Sequence, residues 1–402
     1  MAIIRYIERT SESNKRTANE YLSRLITFET FIKENYSFSV DELTINKLFD
    51  FKENIYELLE SYVSWLSSRV DKDGYKLSPR SIKNRIITVK TFLEYFDVEI
   101  NQHKFRIKVK MPKIMTRYKK ALSKEDIIKM LEACSRFKLK TYLIFLAATG
   151  TRASEAASVR IKDLDFANSK VEIRAEFTKT KVGRYCFMTD ELKEYLKQWI
   201  DIKYRERRLY LKDKHCNKIM KPKIREDDLV FASSFAYDGD SYAANNGRKV
   251  SEQDNVTNIY ATLVMEFNKM INQLKIGFED TARRRHIFTF HSLRRWVKSV
   301  ISDVISSDYS EWAIGHAGSV YYTKLEKEKY ALFKRCEPYL TYLDQSRLEQ
   351  KQTDLQSRLE SMEQENKDLR NNVRTIMEMI QQNPKLAYVK PEVLTSKKLG
   401  NK

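Results

Sequence analysis

Two short stretches place an arginine beside groups that can hold or assist it. In "ATGTRASE", Arg152 follows a glycine turn and Glu155 lies three residues further on. A guanidinium here can direct its planar donors at a phosphate while the carboxylate one turn away holds it. In "FHSLRRW", His291 and Arg294 are three residues apart and project from one helix face. Each motif alone is equally well explained by a surface ion pair or by chance.

A third stretch, "IGHAGSVYYTK", combines His316 with the adjacent phenols of Tyr321 and Tyr322. It is explained either by a buried helical turn or by a tyrosine hydroxyl that attacks an anionic centre. Adjacent helical residues point about 100° apart, so only one of the two tyrosines can be the nucleophile. A phenol with an ordinary pKa of about 10 needs a neighbour that accepts its proton.

The composition indicates a polyanionic partner. The 402-residue chain carries 74 lysine and arginine residues against 55 acidic ones, a formal net charge of +19. This excess favours nucleic acid over an anionic membrane surface. The apolar run "YLIFLAA" is too short to cross a bilayer, and the N-terminal residues lack the apolar stretch of a signal peptide.

Cysteine and glycine usage excludes several classes of cofactor. The four cysteines are far apart and form no Cys-x-x-Cys pair, which argues against a disulfide framework or a zinc cluster and indicates a reducing cytosol. The nine glycines form neither a dinucleotide fingerprint nor a P-loop. We therefore expect no ATP, no other cofactor and no metal.

Residues 1–110 are predicted to form helices. The stretch "LSPRSIKNRIITVKTFLEYF" begins a helix with Ser78 as N-cap and Pro79 in the first turn. Four polar residues lie away from its apolar stripe: Arg80, Lys83, Asn84 and Lys90. They form either a solvated face or a surface that contacts DNA phosphates, and the net charge favours the second.

The following residues predict a mainly α-helical chain with a small β-hairpin or sheet. The basic, proline-containing segment 111–122 is predicted to be a linker, and Ser123 with Asp126 approximates a capping box. "KVEIRAEF" and the returning "RYCFM" predict a β-hairpin. The polar region from about 203 to 255 is expected to be a partly mobile insertion. Helices are predicted again at 256–275, 291–304 and 308–316.

The segment 344–381 carries a heptad pattern. Its d positions are Leu348, Leu355, Met362, Leu369 and Ile376, and its a positions are Gln352, Leu359, Asn366, Val373 and Ile380. Leucine at d with one asparagine at a is typical of a parallel two-stranded coiled coil. The alternative is a lone helix that folds back on the preceding domain. Eight acids against six bases give this segment a net charge of −2, and the basic segment 382–402 is expected to be disordered.

In combination, these motifs resemble the tyrosine recombinase, or phage integrase, family. TGxRxxE, a lysine-bearing hairpin, HxLRR and GH with nearby tyrosines occur in the family's order, and the 25-residue gap from His291 to His316 is similar to its usual spacing. The resemblance covers residues 10–342. It implies a helical core-binding domain at 1–110, a linker at 111–122 and an α+β catalytic domain at 123–343. The ending "EPYLTYLD" is similar to the archaeal branch.

The resemblance also implies a role for each motif residue. Arg152 and Arg294 clamp the non-bridging oxygens of a DNA phosphodiester, and Glu155 supports Arg152. His291 accepts the proton of the nucleophile, and His316 binds the same phosphate or braces the nucleophile.

The family also places a lysine in the hairpin turn, where it protonates the departing 5′ oxygen. Lys179, five residues before Arg184, matches this position best, with Lys181 as the alternative. Ordinary solvated hairpin lysines remain the other reading.

The nucleophile departs from the family pattern. The family places its tyrosine about nine residues after the histidine, and here that position is Leu325. A tyrosine–aromatic pair in archaeal relatives favours Tyr321, whereas "YTK" favours Tyr322. Tyr330 is a distant third candidate.

The function implied by the resemblance is site-specific DNA recombination through a 3′-phosphotyrosyl intermediate, which integrates or excises a mobile element. The alternatives are a chromosome-dimer-resolving recombinase, a type IB topoisomerase, and a dimeric DNA-binding protein with a degenerate site. Double-stranded DNA and further copies of the chain, in a tetrameric synapse or a coiled-coil dimer, are the expected partners. We expect no membrane partner and a cytoplasmic, nucleoid-associated location.

Overall fold

The computed structural model places most of the chain in two compact units, Met1–Lys119 and Lys120–Lys402. It describes residues 1–36, 38–45, 55–70, 74–115, 121–211, 216–232, 251–274, 278–280, 285–286, 288–316, 322–343, 362, 364–375 and 377–378. Each unit has a hydrophobic core of its own.

The described part of the first unit is helical. Its helices are α1 (Ala2–Ser13), α2 (Lys15–Asn35), α3 (Val40–Ile45), α4 (Ile55–Ser68), α5 (Pro79–Tyr95) and α6 (Gln102–Lys108). Aromatic side chains occupy the centre, where the ring of Tyr62 lies 5.0 Å from the rings of both Phe28 and Phe31. Such ring pairs add to the stabilisation that burial provides.

Helix α5 begins where its sequence predicts. The Ser78 side chain accepts a hydrogen bond from the N–H of Ser81 at 3.1 Å, and Pro79 occupies the first turn. These two residues satisfy or remove N–H groups that otherwise lack partners at a helix start. The buried face contains Ile82, Ile86, Val89 and Leu93, as the apolar stripe predicts.

The second unit combines helices with short strands. Its helices are α7 (Lys124–Ala133), α8 (Phe137–Thr149), α9 (Ala153–Ala157), α10 (Asp190–Lys203), α11 (Glu252–Leu274), α12 (Phe290–Val304), α13 (Ser307–Ile314) and α14 (Glu326–Cys336). Its strands are β1 (Leu164–Asp165), β2 (Lys170–Ile173), β3 (Arg184–Phe187), β4 (Arg207–Leu211), β5 (Cys216–Met220), β6 (Phe278–Asp280) and β7 (Arg285–His286).

The predicted hairpin is part of an antiparallel sheet with the order β1-β2-β3. Val171 of β2 pairs with Leu164 on one side and with Cys186 on the other. The mainly helical fold with a small sheet is therefore confirmed, and β1 extends the predicted hairpin by one short strand. The predicted capping box at Ser123 and Asp126 is also present at the start of α7.

Helix α8 lies at the centre of the second core. It is buried on all sides from Leu139 to Thr149 except at Lys140, and the Tyr142 hydroxyl donates a hydrogen bond to the carbonyl of Ala153. This bond holds the start of α9 against α8.

The polar region expected at 203–255 is not uniformly an insertion. Val230 and Phe231 are fully buried in this core, and the N–H of Val230 donates to the carbonyl of Val159 at 2.9 Å. Residues 229–232, which lie in the run "DDLVFASS", therefore belong to the core, and partial mobility of the region stays a prediction. Residues 233–250 lie outside the described part.

The chain after α14 returns to the centre of the unit. The Tyr342 hydroxyl donates to the carbonyl of Ala147 in α8 at 2.8 Å and accepts a hydrogen bond from Trp296 in α12 at 3.1 Å. The Glu191 carboxylate accepts the N–H groups of Tyr342 at 3.0 Å and Leu343 at 2.5 Å. Residues 340–343 are thereby anchored to three helices.

The coiled-coil prediction falls mostly outside the described residues. Residues 364–375 are helical, and Met362, Leu369 and Val373 are exposed in the described chain. The coiled coil itself stays a prediction, as does disorder at 382–402.

Across the described ranges, every helix falls short of the length or the apolar character that a bilayer crossing requires. The same residues include no group of three histidine, cysteine or acidic side chains arranged to hold a metal ion.

The carboxyl of Glu191 predicts a pH dependence of stability. Burial raises its pKa from 4.5 to about 7, although the N–H groups of Leu343 and Tyr342 act in the opposite direction. Between these values the folded state holds a proton that the unfolded chain has released, so this contribution to stability is lost as the pH rises towards about 7. We expect Glu191→Gln to flatten the dependence, because the amide does not titrate.

Thermal unfolding between about pH 5 and 8 measures this effect. The exposed Glu172 provides the control, because Glu172→Gln removes a carboxyl that lies in solvent. An unchanged slope in Glu191→Gln would contradict the assignment.

Candidate active site

The turn between α8 and α9 presents Arg152. Gly150 ends α8 in the left-handed region with φ of +64°, and Arg152 is the residue before the first turn of α9. Glu155 accepts both the backbone N–H of Arg152 at 3.0 Å and its Nη1 at 2.7 Å. The carboxylate therefore fixes the backbone and the side chain of Arg152 together.

A second arginine binds the same carboxylate. Nη2 of Arg184, the first residue of β3, lies 2.6 Å from Oε2 of Glu155, which has no exposed surface. Burial by itself raises the pKa of Glu155, but the charge of Arg184 and the hydrogen bonds from Arg184 and Arg152 outweigh it and hold the pKa below its ordinary value. Glu155 is therefore ionised at neutral pH.

Arg294 of α12 supplies a third guanidinium. Only 3% of it is exposed, and its Nη1 donates to the carbonyl of Gly150 at 2.8 Å. Its Nη2 has no hydrogen-bond partner among the described residues. Burial, followed by the charge of Arg152, lowers the pKa of Arg294 to about 10, with Glu155 opposing and Arg184 adding to the shift. The three guanidinium groups are thus close enough to repel one another.

His316 follows a second glycine turn. Gly315 ends α13 with φ of +69°, and the N–H of His316 donates to the carbonyl of Glu311 at 3.0 Å. The side chain of Glu311 pairs with Nδ1 of His316 and with Nζ of Lys298. Because Nδ1 is engaged, chemistry at this imidazole falls to Nε2.

The remaining candidates for proton transfer are exposed. His291 lies in the first turn of α12 and is exposed, whereas Arg294 three residues later is buried. Lys179 is exposed in the turn between β2 and β3. Lys181 has φ of +56° and its Nζ donates to the carbonyl of Glu176 at 3.1 Å, so this side chain folds back onto its own turn.

Tyr322 packs among aromatic rings. It is half-buried, with ring centroids 5.7 Å from Tyr309 and 6.1 Å from Trp312. Nζ of Lys329 lies 5.7 Å from the centre of its ring. Burial, and then the charges of Asp308 and Glu328, raise the pKa of Tyr322. A raised pKa opposes ionisation of this phenol. Tyr321 lies outside the described residues.

The predicted DNA-contacting residues of α5 differ in exposure. Arg80, Lys83 and Asn84 are exposed and lie at helical spacing on one face. Lys90 is largely covered; its Nζ lies 3.4 Å from Glu94 and 5.5 Å from the ring centre of Phe105.

Several supporting residues were not among the predicted site residues. The sequence uses Arg184 only to locate Lys179 in the hairpin, and no sequence motif points to Glu311. The hairpin position of Arg184 pointed to the site, but its partner Glu155 is 29 residues away in sequence.

The second unit is an α+β domain in which three arginines lie close together, and comparisons with known proteins show what it is similar to. Residues 120–319 match the model of the phage integrase family. Tyrosine recombinase XerA of Saccharolobus solfataricus (strain P2) is 34% identical over 155 residues, which are 36% of this chain and half of the relative's length. Residues 120–319 are therefore similar to the phage integrase family, and the similarity to this relative covers half of its length.

Solved structures share the fold. A lambda integrase (75–356) dimer bound to a COC′ core site is 16% identical with a TM-score of 0.50, covering 81% of this chain and 97% of that one. A lambda integrase tetramer bound to a Holliday junction is also 16% identical, with a TM-score of 0.50. The match covers 81% of this chain and 79% of that one.

Gly150 allows a test of the arginine turn. A Cβ at this position would lie 2.9 Å from Cγ1 of Val297 and 3.2 Å from Cγ2 of Ile314, and the positive φ disfavours any other residue. We expect Gly150→Ala to reduce the free energy of unfolding by about 2 to 5 kcal/mol, the sum of backbone strain and overpacking.

Urea unfolding of the full chain measures this loss. Gly74, with φ of +80° and no described atom within 4 Å of a built Cβ, is the control for backbone strain alone. Equal losses in Gly150→Ala and Gly74→Ala would show that the contact with α12 contributes nothing.

Proposed function

We propose that this protein is a site-specific DNA recombinase that cuts and rejoins DNA through a tyrosine–phosphate bond. The observation that carries the proposal is Arg294, a buried guanidinium whose Nη2 lacks a partner among the described residues, beside Arg152 and Arg184. Three guanidinium groups and Lys298 against the carboxylates of Glu155 and Glu311 leave a local charge of about +2, which favours an anion such as a phosphodiester.

Each side chain has a defined part in the proposed reaction. The tyrosine oxygen attacks the phosphorus, the bond from phosphorus to the 5′ oxygen breaks, and a 3′-phosphotyrosyl bond forms. Arg152 and Arg294 stabilise the charge that develops on the non-bridging oxygens. The tyrosine proton passes to His291, Nε2 of His316 donates to the same phosphate, and Lys179 protonates the departing 5′ oxygen.

Rejoining reverses these steps and needs no added energy. The 5′ hydroxyl of a partner strand attacks the phosphotyrosyl bond and releases the tyrosine, so the number of phosphate ester bonds is unchanged. The proposed reaction therefore needs no nucleotide cofactor.

We assign the nucleophile to Tyr321. Rings hold Tyr322 against Tyr309 and Trp312, and its pKa is raised, which opposes ionisation of the phenol. Only one of the two adjacent tyrosines can be the nucleophile, which leaves Tyr321.

The first unit is proposed to bind the DNA flanking the cleavage point. Arg80, Lys83 and Asn84 form an exposed polar face on α5 that suits phosphate contacts. Lys90 would first have to leave its pair with Glu94.

The proposed assembly is a tetrameric synapse on two DNA duplexes, with the heptad segment 344–381 joining chains in pairs. Exposed Met362, Leu369 and Val373 on the described part of this helix provide the apolar seam that such pairing buries. We propose integration or excision of a mobile element in the cytoplasm, at the nucleoid, as the biological role.

Covalent capture tests the reaction. The protein is mixed with linear duplexes that contain a random segment of roughly 40 base pairs, and adducts that survive detergent are recovered and sequenced. We expect enrichment of one duplex family, linked at its 3′ phosphate to a peptide containing Tyr321. The absence of any adduct overturns the proposal, and relaxation of supercoiled DNA without recombinant products assigns the chain to topoisomerase activity instead.

The paired phenols provide a matched test of the nucleophile. We expect Tyr321→Phe to abolish adduct formation on the recovered duplex, and Tyr322→Phe to retain it because the ring contacts need no hydroxyl. DNA affinity, measured by fluorescence anisotropy, should be unchanged in both. Loss of the adduct only in Tyr322→Phe would reverse the assignment.

A matched pair of charges tests the heptad seam. Leu369 is at a d position and Asn371 at an outer position, so Leu369→Asp and Asn371→Asp each add one negative charge to the same helix. We expect the first to weaken dimerisation by more than roughly 10-fold and the second to have little effect. Sedimentation equilibrium measures both, and a monomeric full-length chain would refute the coiled coil.

A further inference from the structure

We propose that Arg184 is a positioning residue that fixes Arg152 and His316 relative to each other, and so presents both to one scissile phosphate. The inference rests on the function proposed above, because it assigns Arg184 a part in that same site. Arg184 lies in β3, on neither of the two segments that carry these residues.

The first contact of Arg184 is with the carboxylate that holds Arg152. Nη2 of Arg184 and the N–H of Arg152 both donate to Oε2 of Glu155, and Nη1 of Arg152 donates to Oε1. The side chain of Arg184 is 10% exposed and that of Glu155 is 0% exposed. Both partners of this ion pair are desolvated, so its geometry is much stiffer than that of an exposed pair.

The second contact is with the turn that carries His316. A Cβ built on Gly315 would lie 2.5 Å from Nε, 2.6 Å from Cζ and 2.7 Å from Cδ of Arg184. The glycine is therefore required twice, once for its φ of +69° and once because the guanidinium lies against its α-carbon. One planar group thus supports α9 on one side and the end of α13 on the other.

These contacts separate positioning from direct phosphate binding. Nη2 of Arg184 is bound to Glu155, and its Nε, which has no hydrogen-bond partner among the described residues, lies against Gly315. Arg184 therefore acts through Glu155 and Gly315. Lysine cannot replace it, because an ammonium is a point donor on a flexible stem and lacks the planar group that fills this space.

The first experiment compares Arg184→Lys with Arg174→Lys in the full chain. Arg174 is the control because its side chain is also 10% exposed and pairs with an acid, Glu252 at 2.6 Å. The probe is the duplex recovered by covalent capture, and single-turnover cleavage is followed at saturating protein. We expect the rate constant to fall by roughly 10- to 100-fold in Arg184→Lys, with the DNA dissociation constant and the reaction amplitude within about twofold of the wild-type values.

The amplitude distinguishes positioning from folding. A purely structural role would reduce the fraction of active molecules, and hence the amplitude, while the remaining molecules react at the normal rate. A lowered amplitude with an unchanged rate constant, or equal rates in Arg184→Lys and Arg174→Lys, overturns the inference.

The second experiment tests the contact with Gly315 and does not depend on the lysine variant. Gly315→Ala is made in the wild-type chain and in Arg184→Ala. In the wild-type chain we expect Gly315→Ala to lower the rate constant by roughly 10-fold or more. In Arg184→Ala, where the clash has been removed, we expect a loss of less than about threefold. Gly74→Ala, with positive φ and no described neighbour, should leave the rate unchanged. Equal losses in both backgrounds overturn the inference.

The outcomes separate the two proposals. If the wild-type chain forms no adduct with any duplex, the proposed function fails and the role of Arg184 fails with it. If the wild-type chain cleaves DNA while the Arg184 and Gly315 variants match their controls, only the positioning role fails.

Discussion

The candidate site depends on one buried carboxylate. Glu155 has no exposed surface and is ionised because Arg152 and Arg184 bind it from two directions. A buried charge that loses its partner costs about 3 to 5 kcal/mol, so each member of this group holds the others in place. The carboxylate neutralises only part of the positive charge around it. The remaining positive charge, to which Arg294 contributes, is held in place by these contacts, which is the condition for electrostatic preorganisation toward an anion.

Two glycines with positive φ allow these residues to come together. Gly150 ends α8 and offers its carbonyl to Arg294, while Gly315 ends α13 directly before His316. Each turn lets a helix end abruptly against another element, and each lacks room for a Cβ. Residues from α9, α12, β3 and the end of α13 are thereby grouped although they come from distant parts of the chain.

Features encoded by neighbouring residues could be predicted from the sequence, and those created by distant contacts could not. The cap at Ser78, the capping box at Ser123 and the hairpin strands β2 and β3 were predictable because their signals lie within a few residues. The burial of Phe231 could not be predicted from its short apolar run, because the core that it joins is formed by elements distant in the sequence. The role of Glu155 as support for Arg152 was predictable from their spacing, whereas its bond to Arg184 joins different elements. The sequence leaves Tyr321 and Tyr322 as alternatives, because the ring contacts of Tyr322 with Tyr309 and Trp312 are made by residues of another element.

The anchoring of Tyr342 has a mechanical consequence. Its hydroxyl donates to the carbonyl of Ala147 and accepts from Trp296, which lies two residues after Arg294 in α12. Its N–H donates to Glu191 in α10. A load applied to the chain beyond residue 343 is therefore borne first by α8, α10 and α12. Tension on that part of the chain would be delivered to these three helices, of which α12 carries Arg294.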